Sequence, residues 1–97
     1  IKDSRLGLDF IRRLRPVSYY RNNDKSNKKE YGFIAQELER ALKNSRESNN
    51  AMISKDDQGM YSVRYNDLIA PMVKAIQEQQ IIIEKLQQEI KELKREK

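Results

Sequence analysis

From Asp67 to the C-terminus the chain holds one helix breaker, Pro71, and that lies near the start of the stretch. A helix over residues 67–97 would be about 46 Å long. That is more than a small head could cover. With Ile69 placed at heptad position a, Ile76, Ile83 and Ile90 share that position. Met72, Gln79, Leu86 and Leu93 fall at d, so seven of the eight seam positions are apolar. This is the repeat of a coiled coil, and its 3.5-residue period implies a left-handed supercoil. Gln79 is the polar layer; it either fixes register at some cost in stability or is a tolerated weak layer. Glu89 at g and Lys94 at the next e can pair between parallel chains, which favours that orientation although a surface pair contributes little energy. Strand number stays open. Isoleucine at a with leucine at d suits two strands. Val73 at e, with Ala75 and Ile82 at g, widens the stripe and suits three or more, and Ile81 at f is left over.

Composition explains why the tail would associate. The 97 residues are 37% hydrophobic and 36% charged. A chain this small buries a modest share of its surface on folding, and partner chains can supply the rest. There is no cysteine and no histidine. Disulfides, a structural zinc site and the Ser-His-Asp and Cys-His catalytic arrangements are therefore excluded. No cofactor is expected. No apolar run approaches a membrane span, so no membrane association is expected, and the N-terminus does not read as a signal peptide. The first residue is Ile1, which suggests a piece of a longer protein. Residues 1–66 carry 14 basic and 9 acidic side chains, and residues 67–97 carry six of each, so the net charge of +5 resides in the head. The basic charges are scattered; a nucleic-acid partner is the lesser reading of them, and a protein-binding adaptor is another.

Residues 1–66 read as an α+β head of short helices and β-hairpins, with the C-terminal helix from 67 to 97. The first helix is expected to be capped by Asp3 or Ser4, to carry Leu6, Leu8, Ile11 and Leu14 on one side, and to stop before Pro16. Val17–Arg21 and Tyr31–Ile34 read as strands around a polar loop, Asn22–Lys29. Gly32 marks a bulge or a close backbone approach. Ala35–Lys43 reads as a helix, with Ile34, Leu38, Ala41 and Leu42 on one side. A second polar stretch covers Asn44–Asn50. Met52–Ser54 and Met60–Tyr65 flank a turn over residues 55–59 that ends in glycine, a hairpin pattern. Asn66 or Asp67 would cap the last helix.

Three segments together resemble a known family. They are Leu8–Tyr19 with Leu14-Arg15-Pro16-Val17 at its centre, Tyr31–Glu39 with Gly32-Phe33-Ile34-Ala35-Gln36-Glu37, and Tyr65–Gln80. In order and spacing they are similar to the C-terminal intramolecular chaperone domain, peptidase S74, of endosialidases and phage tail spikes and fibres. The resemblance implies a homotrimer, so it favours three strands where the heptads leave the number open. It implies a self partner, and a second partner in the upstream fibrous part of the same polypeptide. It also implies assembly in the cytoplasm of a phage-infected bacterium. The family releases the domain through a serine-lysine dyad in a Ser-Asp-x-x-Leu-Lys motif. That motif has no match here, Lys2 and Ser4 being wrongly ordered, so no catalytic residue is assigned and the chain is expected to be inactive by itself. Leu14, Arg15, Pro16, Gly32, Phe33, Ala35, Gln36, Glu37 and Tyr65 are the motif residues of the head. Tyr31, Phe33 and Tyr65 are candidates for packing within or between heads, with Phe33 read first as intrachain core.

Overall fold

The structure, a computed structural model, describes residues 1–21, 25–47 and 50–96. Asn22–Asp24 of the first expected loop, Ser48 and Asn49 of the second, and Lys97 of the long helix lie outside the described residues. The elements run α1 (Leu8–Arg12), β1 (Val17–Tyr19), β2 (Glu30–Gly32), α2 (Ala35–Asn44), β3 (Ile53–Lys55) and β4 (Tyr61–Val63). A 3₁₀ turn (Tyr65–Leu68) then leads into α3 (Ile69–Arg95). The architecture is α+β, with two separate antiparallel hairpins and one long helix.

The core forms where the amphipathic faces meet. Phe10 of α1, Leu38, Ala41 and Leu42 of α2, Met52 before β3 and Leu68 before α3 are buried together. Leu6, Ile11, Leu14, Phe33, Ile53 and Val63 pack around them. α2 keeps the expected inner face apart from Ile34, which is exposed at its N-terminal edge. Helix α1 is much shorter than expected. Neither Asp3 nor Ser4 caps it: Ser4 Oγ instead accepts from Leu6 N–H and donates to the Leu6 carbonyl. Gly7 stands at the N-cap, and the fully buried residue is Phe10, outside the expected stripe.

Both hairpins are three residue pairs long. Val17 faces Gly32 and Tyr19 faces Glu30 in the first; Ile53 faces Val63 and Lys55 faces Tyr61 in the second. β1, β2 and β4 are shorter than expected, and β3 has the expected length but lies one residue further on. Tyr20 and Arg21 run past β1, and the Arg21–Glu30 ion pair at 2.6 Å ties them to β2. Phe33 and Ile34 leave β2 to enter α2, whose first N–H groups bond to the Ile34 carbonyl. The β3–β4 turn is closed by Asp56, whose Oδ1 accepts from Gln58 N–H and Met60 N–H at 2.9 and 2.8 Å. Gly59 completes it with φ of +83°, where a side chain would be strained.

No side chain caps α3, neither Asn66 nor Asp67; the 3₁₀ turn feeds directly into it. Pro71 is its third residue, where the missing N–H has no intrahelical partner to lose. At 27 residues α3 is about 40 Å long. Its first turns rest on the head through Pro71, Lys74, Ala75 and Glu78, and all described residues beyond Glu78 are exposed. The radius of gyration is 18.4 Å, against about 12–13 Å for a compact chain of this length. The tail therefore projects, and it does not fold back over the head.

Candidate functional site

Two neighbouring surfaces carry the residues singled out from the sequence: a motif face on the head and an apolar stripe on α3. The motif face is assembled from three segments. Pro16 turns the chain from α1 into β1, which sets β1 beside β2 and puts Gly32 opposite Val17. Gly32 pairs in continuous register with no bulge, and what approaches it is a side chain and not backbone. A Cβ there would lie 2.7 Å from Tyr65 Oη, so the tyrosine hydroxyl occupies the space that a side chain would need. Phe33 and Tyr65 stack with centroids 6.3 Å apart and planes inclined by 28°. Pro16, Tyr31 and Tyr65 border an open apolar hollow of about 470 Å³ over this pair. Phe33 is half-buried against the core, whereas Tyr31 is 78% exposed.

Arg15 and Glu37 join the first motif to the second. Arg15 Nε donates to Glu37 Oε1 at 3.0 Å and Nη2 to Oε2 at 2.6 Å, a two-pronged pair. The guanidinium hydrogen bond holds the Glu37 carboxyl below the usual carboxylate range, and the same contact raises Arg15 further. Leu14 lies inward, beside the core. Ala35 and Gln36 form the first turn of α2, Ala35 half-buried and Gln36 exposed. Gln36 thus stands apart from the other motif residues.

On α3 the heptad residues keep a face distinct from the one that rests on the head. Ile69, Met72, Ile76, Ile83, Leu86, Ile90 and Leu93 are each between 47 and 64% exposed. Gln79 is exposed among them. Met72 alone of the eight also reaches the head, where it closes a second, drier hollow of about 210 Å³ with Ile11, Leu14, Pro16, Phe33 and Leu68. The stripe, broken by Gln79, thus reaches the head through Met72.

A contact that sequence reasoning missed locks the two parts together. Glu78 Oε1 accepts from Leu8 N–H at 2.9 Å, and the Lys74 ammonium donates to the Ser4 carbonyl. A Cβ at Gly7 would collide with the Glu78 carboxylate, so only glycine admits that approach. The cap comes from 70 residues away, and local spacing carries no trace of it. Ser4 meets Lys74 through its carbonyl, and its hydroxyl is engaged by Leu6. Among the described residues no group of three or more His, Cys, Asp or Glu is placed to hold a metal ion, and no helix is long and apolar enough to cross a membrane.

The stretch that contains α1, β1, β2 and α2, with the Arg15–Glu37 pair inside it, is the part that comparison recognises. Residues 1–45 match the Peptidase S74 family, chaperone of endosialidase. The resemblance read from the first two motifs holds over this S74 stretch. The match ends before the third motif, so Tyr65 and α3 are joined to it by structure alone: Tyr65 by its stack on Phe33, and α3 by Glu78 and Met72. No curated protein and no solved structure matches the chain.

Proposed function

We propose that this chain is the intramolecular chaperone and trimerisation module of a longer fibrous polypeptide. The observation that carries the reading is the uncovered apolar stripe of α3, extending well past the head and attached to an S74 stretch. Each seam side chain is about half exposed, so covering it contributes roughly 1 kcal/mol. Two isoleucines and two leucines from Ile83 to Leu93 offer that gain at every chain–chain contact. Val73 and Ile82 flank the seam with apolar surface that suits three strands, isoleucine at a with leucine at d suits two, and the S74 resemblance favours three.

The physical service is local concentration. Upstream segments of three chains meet rarely and out of register. Zipping their C-terminal helices makes the next encounter intramolecular, at millimolar effective concentration for short connections. The Glu78 and Lys74 contacts transmit that alignment to the N-terminal edge of the head. In this reading the parent polypeptide cleaves itself next to the domain through a serine and lysine outside this chain, after assembly in the cytoplasm of an infected bacterium. Mass spectrometry of a parent polypeptide with the upstream serine intact or replaced tests the cleavage. Sedimentation of the present chain tests the association.

A further inference from the structure

We propose that the hollow lined by Ile11, Leu14, Pro16, Phe33, Leu68 and Met72 is a socket for Val73 of a second copy of this chain. The inference rests on the parallel coiled coil proposed above and adds to it a place where one copy completes the head of another. In a parallel coil, a residue at g on one helix faces the residue at e five positions later on its neighbour. Leu68, the last residue of the 3₁₀ turn and the N-cap of α3, stands with near-helical backbone in the g place before Ile69, Ala75 is the next g residue, and both are buried. The head therefore occupies the flank at which the neighbour's e residues must arrive. Opposite Leu68 the register places the neighbour's Val73.

Both sides fit chemically. The hollow is almost wholly apolar and is continuous with the stripe through Met72. Val73 is an apolar residue at a position where surface coils carry charge, and it is 48% exposed. With Asp3 and Ser4 of its own chain it lines a separate, open hollow. Ala75 as the next g residue faces Gln80, a polar e residue. Of the e positions Val73, Gln80, Gln87 and Lys94, Val73 is the apolar one, and it is the one that the register brings to the apolar hollow.

The chain has no cysteine, so cross-linking is unambiguous. Chains carrying Leu14→Cys and chains carrying Val73→Cys are unfolded, mixed, refolded together and oxidised. A chain with Ile83→Cys is oxidised separately as a reporter of the coil, and Ile11→Cys replaces Leu14→Cys should that variant misfold. Because each cysteine sits on a different chain, a disulfide between positions 14 and 73 can form only across copies. The expected result is that linkage as the dominant cross-linked peptide, with Ile83→Cys also linking. Cross-linked Ile83→Cys with no 14–73 or 11–73 linkage overturns the socket and leaves the coil standing. No linkage at either place overturns the coil and the socket with it.

Discussion

Glu78 does for α1 what the residues before α1 fail to do. Local sequence offers Asp3 and Ser4 as caps, but Ser4 closes its own turn on Leu6 and the orphan N–H of Leu8 is met from α3. A half-buried carboxylate on a helix N-terminus combines a charge-assisted bond with a favourable dipole. Glu78→Ala should therefore lower head stability by about 1–2 kcal/mol, read by denaturant melts, while Glu78→Gln, which keeps the acceptor, loses less. Gly7→Ala should cost no more than losing that bond, because the added methyl displaces only the flexible end of the Glu78 side chain. The Arg15–Glu37 pair makes a pH-dependent contribution. Its hydrogen bond lowers the Glu37 carboxyl in the folded chain, so the stabilisation is present above the carboxyl's unfolded value and is lost as pH falls through the lowered one. Melting temperature should fall on acidification from pH 5 to pH 3 in the native chain, and fall less in Glu37→Gln. Equal slopes would show that the pair has no such linkage.

At the scale of elements, the sequence reading succeeded where pattern is local and long. α2 and α3 show their periodicity, and the β3–β4 hairpin shows its turn chemistry in Asp56 and Gly59. Gly59→Ala should cost about 1 kcal/mol in a thermal melt, since alanine resists a φ of +83°. The reading overshot α1, β1, β2 and β4, while β3 has the expected length shifted by one residue. α1 shrank to five residues because its N-terminal half is tied to α3 by Lys74 and Glu78 and cannot continue the helix. β1 and β2 stopped at three pairs because Phe33 turns inward to meet Tyr65. The same holds for the candidate site. Gly32 was legible as a close approach, but its partner Tyr65, 33 positions on, was not. The motif residues were found through resemblance, and their grouping by Arg15–Glu37 and Phe33–Tyr65 came from tertiary contact.

The whole molecule is a small head on a long spoke. Its outline, 63 × 36 × 20 Å, is set by a helix whose described residues beyond Glu78 are all exposed. Ten large apolar side chains from Ile69 onward stand close to half exposed or more on that one helix. A soluble monomer rarely leaves so continuous a patch uncovered. Self-association through this face is the central claim, and sedimentation equilibrium at micromolar concentration tests it most directly. The native chain should sediment as a trimer of about 35 kDa, three times the 11.6 kDa of one chain, and Ile83→Gln combined with Leu86→Gln should reduce it to monomer. A native chain that sediments as a well-folded monomer, or a doubly substituted chain that keeps the native mass, would contradict the account.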